Sequence, residues 1–506
     1  MVLVFNFGGQ YAHLIARRIR ELGAKSQLVS PDIKVKDIQK LNPQALIFSG
    51  SPYSVYEKDS PAIDKKIYDL KIPILGICYG MQVTAYQLGG KIASHQKKQF
   101  GKTQVEIKKS KLFKNLENKQ TVWFSHGDAV DKLPRGFKVI AQTAEAPFAG
   151  FENEKARIWG IQFHPEVTHT VNGGIILSNF LFSIASAKKD WDLHKIKEST
   201  VKDLRLRLKG QKVLMALSGG VDSLVAATLI REAIANNLHL VFIDTGLLRT
   251  YDLKDLDSVV KKAGFKNLKI VNAQNQFLKV LKGIADPEEK RQKIAKVYFS
   301  ILEEEAEKIG NIAYLGQGTI YPDRVESAAT SKHADKIKSH HNVSLPHGLK
   351  LKIVEPLAEF YKDEVRAIGK LLNVPHQFLN RHPFPGPGLA IRIVGEVTLQ
   401  RLEILRAVDD IFIQELKSSG LYSKVGQALA ALLPVKSVGV MGDSRTYSYI
   451  VSLRAVDTID FMTADWSKIP YDILEKVSSR IVNEVRGVNR VVYDITQKPP
   501  ATIEYE

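Results

Sequence analysis

Ile72-Pro73-Ile74-Leu75-Gly76-Ile77-Cys78-Tyr79-Gly80-Met81-Gln82 holds the only cysteine in 506 residues. An apolar run leads into the thiol, and a helix-like stretch, Met81–Tyr86, leads out. Strand, glycine-flanked turn and helix together push one side chain out at the top of a sheet. That is the thiol counterpart of the serine nucleophile elbow. The following helix points its N-terminus at the sulfur, which favours thiolate over thiol. A buried structural cysteine is the plainer reading of the same residues, so the surrounding chain has to decide.

Around this turn, short apolar strands alternate with helical stretches. Val2–Phe7, Ala45–Ser49, Ile72–Gly76 and Ile158–Phe163 read as strands of an α/β sheet covered on both faces. The pattern runs to about residue 188, where the charged stretch Lys188–Lys202 reads as a linker and a new helix start. A second α/β unit opens at Lys212–Leu217, with further strands at Leu238–Ile243, Lys269–Val271 and Asn311–Leu315. Arg381-His382-Pro383-Phe384-Pro385-Gly386-Pro387-Gly388 ends it, because three prolines and two glycines preclude helix or central strand. Beyond lies a smaller α+β region, with helices at Glu403–Lys417 and Tyr471–Asn483. Its strands are read at Ser437–Met441, Ser448–Leu453 and Arg490–Tyr493. Three domains are expected, 1–188, 189–381 and 382–506, as the length also suggests.

Composition narrows the function classes. One cysteine rules out an intrachain disulfide and suits a reducing compartment. The opening Met1-Val2-Leu3-Val4-Phe5 reads as a strand rather than a secretory signal. No apolar run approaches the length of a membrane span. A cytoplasmic protein without a membrane partner is therefore expected. The net charge is +18, from 72 basic and 54 acidic residues, which attracts anions. The basic residues are dispersed in short pairs such as Lys97-Lys98, Lys108-Lys109 and Lys261-Lys262. Without clusters or aromatic stacking positions, nucleic acid is not expected as a partner.

A cysteine nucleophile needs a base for its proton and a donor pair for the oxyanion. Gly160-Ile161-Gln162-Phe163-His164-Pro165-Glu166 ends a strand in an imidazole, and Glu166 can fix its tautomer. Cys78, His164 and Glu166 thus fill the three roles of a triad. Gly76–Gln82 and His164-Pro165-Glu166 resemble the class I glutamine amidotransferases of the triad type. The resemblance implies that Cys78 attacks the side-chain amide of glutamine, forming a glutamyl thioester and releasing ammonia. It implies an oxyanion hole from the backbone N–H groups of Gly50 and Tyr79, and glutamine binding by Gln82 and by Ser125, His126 and Gly127, with Asp128 in the same segment. Ser51 stands where the family usually has glycine; the donor at Gly50 survives.

A second site follows the strand Val213–Leu217. Ser218-Gly219-Gly220-Val221-Asp222-Ser223 leads into an apolar helix, Leu224–Ile230. Glycines let the backbone approach phosphates, and the helix N-terminus supplies N–H donors. Ser218 and Ser223 add hydroxyls, and Asp222 is the candidate ligand for magnesium. No Gly-Lys-Ser/Thr follows, so this is not a Walker loop. The motif resembles the PP-loop ATP pyrophosphatases, which adenylylate an oxygen, release pyrophosphate and let a nucleophile displace AMP. Asp244-Thr245-Gly246 lies where that family contacts adenosine.

A glutaminase supplies ammonia, and a PP-loop unit turns an oxygen into a leaving group. The acceptor is suggested by Leu315–Asp323, Lys338–Asn342, Arg381–Gly388, Val438–Asp443 and Lys498–Glu504. In order and over nearly the whole chain, these resemble the glutamine-hydrolysing GMP synthetases. The resemblance implies an α/β class I amidotransferase domain, an α/β PP-loop domain of the adenine nucleotide α-hydrolase type and a small α+β C-terminal dimerisation domain. It also implies ATP, XMP and glutamine as substrates, magnesium with the ATP, and a homodimer. Carried over residue by residue, Arg291, Pro387, Gly388, Arg490, Lys498, Thr502, Ile503 and Glu504 bind XMP. Asp323, Glu326, Lys338 and Lys362 join Ser218–Ser223 at ATP. The chain departs from the family at Ser344-Leu345-Pro346, one residue short and without glycine, and at Ser444. A histidine pair, His340-His341, has no third metal ligand at sensible spacing. An NAD synthetase or a tRNA-modifying relative shares the amidation logic, but lacks a segment like Lys498–Glu506.

Overall fold

The computed structural model describes residues 1–9, 11–250, 264–327, 351–441, 444–458, 461 and 463–506, with 94–100, 325–327 and 441 by backbone alone. Backbone contacts divide the chain into two compact units, one built on Met1–Asp192 and one on Leu193–Arg324 with the described part of 339–506.

The first unit holds a nine-stranded sheet in the order β2-β1-β3-β4-β9-β8-β7-β5-β6. Here β1 is Val2–Phe5, β2 Ser26–Val29, β3 Ala45–Phe48, β4 Ile74–Ile77, β5 Lys91–Ile107, β6 Lys119–Lys132, β7 Lys138–Gln142, β8 Gly150–Asn153 and β9 Ile158–Ile161. From β2 to β9 the pairing is parallel, and from β9 to β6 antiparallel. Strands β1, β3, β4 and β9 are buried throughout, as a parallel sheet covered on both faces requires. The strand readings Val2–Phe7 and Ile158–Phe163 run past the observed ends. Phe7 and Phe163 are fully buried, but in the loops at the C-terminal edge of the sheet, where apolar residues pack without pairing. The helix after Cys78 runs Tyr79–Gln87, starting before the expected Met81.

The second unit carries two sheets. Strands β10 (Lys212–Ala216), β11 (Leu238–Asp244), β12 (Leu268–Asn272), β13 (Ile312–Gly316) and β14 (Lys352–Val354) form a parallel sheet in the order β12-β11-β10-β13-β14. The order reverses at β10, and ligands of open α/β sheets bind beyond the strand ends at such a switch point. The other sheet joins β15 (Gln427–Met441), β16 (Ser444–Asp457), β17 (Asp465–Trp466) and β18 (Val488–Tyr493) around β16. Helices Leu399–Ser418 and Tyr471–Glu484 pack against it. One hydrophobic cluster runs from Leu214 and Val241 under the parallel sheet to Val451 and Leu453 in the other.

Candidate active sites

The register of β4 and β9 assembles the first site. Ile77 pairs with Ile161, and Cys78 N donates to the Ile161 carbonyl at 2.8 Å. Cys78 lies one residue beyond β4 and His164 three beyond β9, so neighbouring parallel strands deliver both to one edge. At Cys78 the chain turns with φ 54° and ψ −110°, a backbone conformation that non-glycine residues rarely adopt. Such a turn is sterically possible only with small neighbours. A Cβ on Gly80 would stand 2.2 Å from the Phe48 carbonyl oxygen.

His164 and Glu166 are buried at 3% and 0% exposure, and His164 Nδ1 is 2.7 Å from Glu166 Oε1. Burial disfavours the imidazolium, but the Glu166 carboxylate and the Cys78 sulfur outweigh it and push His164 up to about 10. His164 is thus built to hold a proton beside an anion. Thr170 Oγ1 donates to the His164 carbonyl at 2.6 Å, and His164 N to the Trp123 carbonyl at 2.9 Å, tying the segment to β6.

The candidate oxyanion and glutamine residues gather at the same edge. A Cβ on Gly50 would lie 3.4 Å from His164 Cε1 and 3.9 Å from Cys78 Cβ, so the Gly50 backbone lines the thiol. Tyr79 opens the helix, and its hydroxyl donates to the Pro61 carbonyl at 2.7 Å. Burial pushes that phenol up to about 12. Ser51 Oγ donates to the Phe7 carbonyl at 2.9 Å, away from the thiol. Cys78 Sγ is 3.7 Å from the Ser125 carbonyl. His126 is buried on β6, with Gly127 beside it, and Asp128 accepts from Ser54 and from Tyr56 at 2.9 Å. Gln82 is also buried. Its amide nitrogen donates to the Asp128 carbonyl at 2.6 Å and faces Gln162 Oε1 at 3.4 Å. Gln162 reaches Cys78 Sγ at 3.7 Å; nothing in the sequence around it had pointed to a role.

In the second unit, Ser218–Ser223 closes on itself beyond β10. Ser218 N and Ser218 Oγ reach Ser223 Oγ at 3.3 and 3.1 Å, and Gly220 N reaches Ser218 Oγ at 3.3 Å. Gly219 follows Ser218, and the helix Val221–Ile234 starts within the loop, earlier than the expected Leu224. Lys362 pairs with Asp222 Oδ2. Asp222 Oδ1 is buried without a hydrogen-bond partner among the described residues, an orphaned carboxylate oxygen that fits a hard cation. Asp323 accepts from Ile320 N at 3.1 Å. Asp244 accepts from Gln274 at 2.7 Å and from Gly246 N at 3.0 Å. Lys338, His340-His341 and Ser344–Pro346 lie outside the described residues, as do Gly442 and Asp443, and Glu326 is described by its backbone alone.

The candidate XMP residues divide. Gly388 has φ +64°, and a Cβ there would stand 2.4 Å from the Leu247 carbonyl, which accepts from Leu389 N at 2.8 Å. The Pro387-Gly388 turn therefore presses on the segment after β11. Arg291 donates to the Glu506 main-chain carbonyl at 2.7 Å. Lys498 Nζ donates to the Phe461 carbonyl at 2.6 Å, Thr502 O accepts from Arg454 at 3.1 Å, and Ile503 is buried against Leu429 and Val456. Arg490 is exposed on β18. Glu504 is held by both Nε and Nη2 of Arg392 at 2.8 Å and by Gln427 at 2.7 Å. Burial works against its carboxylate, but the Arg392 guanidinium outweighs burial and keeps it below the usual range. Arg392 also faces Asp409 at 3.5 Å, and Arg249 binds Asp409 at 2.8 Å. Of this buried ladder of two arginines and two carboxylates only Glu504 was named from the sequence, because the pairing joins four segments far apart in the chain.

Three family models match parts of the chain: the class-I glutamine amidotransferase over residues 3–184, the phosphoadenosine phosphosulfate reductase domain over 212–311, and the GMP synthase C-terminal domain over 414–505. The GMP synthase [glutamine-hydrolyzing] of Aquifex aeolicus is 52% identical over 100% of this chain and 99% of its own. The protein of the same name from Thermosipho melanesiensis is 50% identical over the same shares. The crystal structure of a putative GMP synthase component from Thermoplasma acidophilum covers 37% of this chain and 93% of its own, with 34% identity and a TM-score of 0.35. End-to-end identity at this level places the chain: it belongs to the glutamine-hydrolysing GMP synthase family.

Proposed function

We propose that this chain makes GMP by the overall reaction XMP + ATP + glutamine + water → GMP + AMP + pyrophosphate + glutamate. The observation that carries the reading is identity of about half over the full length with relatives named for that product. In the first unit, the Cys78 sulfur attacks the glutamine amide carbon while His164 holds the proton and Glu166 fixes the imidazole. The N–H groups of Gly50 and Tyr79 receive the oxyanion. The proton passes from His164 to the leaving nitrogen, ammonia departs, and water then cleaves the thioester to glutamate. Gln82, Ser125, His126 and Gly127 frame the glutamine. The position of Gly50 beside both thiol and imidazole supports this arrangement.

In the second unit, Ser218–Ser223 cradles the phosphates of ATP, and Asp323, Glu326, Lys338 and Lys362 complete that site. Asp222 would hold Mg2+, which supplies charge neutralisation on the departing pyrophosphate. XMP lies with Arg291, Pro387, Gly388, Arg490, Lys498, Thr502, Ile503 and Glu504; Arg and Lys suit its dianionic phosphate. The xanthine 2-oxygen attacks the α-phosphorus of ATP and pyrophosphate leaves. Ammonia then takes the place of that oxygen, which leaves with AMP. The functional domains are 1–188, 189–381 and 382–506, and the last forms a homodimer. We place the protein in the cytoplasm: a lone cysteine suits a reducing compartment, and no described helix is long and apolar enough to cross a membrane.

Cys78→Ala tests the division of labour. GMP formation with glutamine should vanish, and formation with ammonium should persist within about twofold. Loss of both, in a folded protein, overturns the assignment of Cys78 to ammonia supply alone. Turnover of another acceptor, with no AMP formed from XMP, would favour an NAD synthetase or a tRNA-modifying relative.

A further inference from the structure

Gln162 follows β9, is fully buried and takes part in no step above. Its amide nitrogen lies 3.7 Å from Cys78 Sγ. The neighbours fix which end of the amide faces the sulfur. Gln82 Nε2 meets the Asp128 carbonyl at 2.6 Å, and a carbonyl can only accept. The same nitrogen therefore presents its second hydrogen to Gln162 Oε1, 3.4 Å away. With its oxygen accepting there, Gln162 turns its N–H to the sulfur. Its main chain is anchored as well, since Gln162 N donates to the Ala149 carbonyl at 2.9 Å.

The sulfur has a second close neighbour of opposite sense. The Ser125 carbonyl, 3.7 Å away, accepts from a thiol S–H and repels a thiolate. The titratable groups at this sulfur are His164, with Glu166 on its ring and Tyr11 edge-on to it at 4.9 Å between centroids, and Tyr79, the next residue; His126 and Asp128 share β6 with Ser125, and Asp128 is bonded to Ser54 and Tyr56. Of these, His164 is the one placed to take the thiol proton. A donor already oriented in a water-poor site stabilises an anion strongly, because nothing has to reorganise when the charge appears.

We propose that Gln162 donates a preset amide hydrogen bond to the Cys78 sulfur, holds it as thiolate opposite the Ser125 carbonyl, and so sets how far down in pH the thiol reacts. Its use in catalysis rests on Cys78 being the nucleophile; its measurement does not.

Cys78 is the only cysteine, so alkylation of the full-length protein by iodoacetamide reports on this sulfur alone. The sulfur attacks the methylene carbon, a C–S bond forms and iodide leaves. The rate is followed against pH for the parent, Gln162→Met and Gln162→Glu, with thermal unfolding as a check on folding. Gln162→Met removes the donor at similar volume. Its alkylation midpoint should rise by about one pH unit, which is about tenfold slower reaction below the midpoint. Gln162→Glu puts a carboxylate against the sulfur and should raise the midpoint further. A packing role alone would lower the melting temperature and leave the midpoint in place; an unmoved midpoint in either folded variant overturns the proposal. Failure of the underlying reading looks different: Cys78→Ala would keep glutamine-dependent GMP formation whatever the alkylation profile shows.

Discussion

His164 and His382 carry the same side chain and are pushed in opposite directions by what surrounds them. His164 faces a carboxylate and a sulfur and rises. His382 is buried with its ring stacked on Tyr422, 3.8 Å between centroids. Its Nδ1 accepts from Ala428 N at 3.2 Å, and Nε2 donates to the Tyr422 carbonyl at 2.8 Å. That pattern requires the neutral ring. Burial, joined by the field of Arg249, pulls His382 down to about 4 against the pull of the Tyr422 carbonyl. Below pH 6.5 the unfolded chain binds a proton there that the folded chain refuses. Stability from this group is therefore complete above pH 6.5 and lost as pH falls toward 4. The loss amounts to about 3 kcal/mol from the shift alone. Urea midpoints followed from pH 7 to pH 4 should fall for the parent and fall less for His382→Gln; equal slopes would show that His382 is not the group responsible. In the sequence, His382 is one letter of a proline-rich turn, and nothing local marks it as buried. Cys78 is legible from the glycine-flanked turn around it, and His164 with Glu166 from their spacing of two; the pairing of β4 with β9 that joins the two segments is not written in either. Gln162 is not, since an amide one strand over from the thiol belongs to no motif that the residues beside it complete.

Elements were legible where one stretch decides its own conformation. Gly76 and Gly80 mark the turn at Cys78, because a Cβ on either would strike backbone at 2.6 or 2.2 Å. The strands after residue 427 were not. The reading Ser437–Met441 begins beyond Pro434, a residue that cannot donate to a ladder. The structure carries β15 from Gln427 across that point, with a register shift between Leu432 and Lys436, so an irregularity absorbs the proline. Strand β16 likewise runs Ser444–Asp457 where Ser448–Leu453 was expected. The extra length has a consequence. Val438, Val440 and Tyr447 are 60%, 74% and 67% exposed, and Val438 pairs directly with Tyr447. A contiguous apolar face of this kind is a candidate association surface, and the proposed homodimer would use it. If the proposed dimer forms through this face, Val440→Glu should convert it to monomer at micromolar protein by sedimentation or light scattering. A parent that sediments as a monomer, or a variant that stays dimeric, would discard this face as the contact.

At the scale of the whole molecule, the proposed reaction puts two chemistries in one chain, and the ammonia made by one is consumed by the other. The candidate triad is assembled by β4 and β9 in the first unit, and the candidate phosphate loop follows β10 in the second. The candidate residues were legible in the sequence because each segment that carries them is local to one strand end, after β4, β9 and β10. The sequence says nothing of timing, which depends on equilibria that no motif encodes. Ammonia released before an adenylylated acceptor exists is lost to water and protonation. Glutamine cleavage should therefore depend on occupancy of the second unit, a coupling between distinct sites that is reciprocal in binding. Glutamate release, measured without ATP and XMP, should be at least about tenfold slower than with both, matching a coupling of about 1.4 kcal/mol or more. ATP alone or XMP alone should give only part of the increase, since the adenylylated acceptor needs both. Cys78→Ala should abolish glutamate release under every condition, which separates coupled hydrolysis from a contaminating glutaminase. Equal rates with and without the two nucleotides would mean that the first unit runs as an independent glutaminase and that its chemistry is not gated by the acceptor.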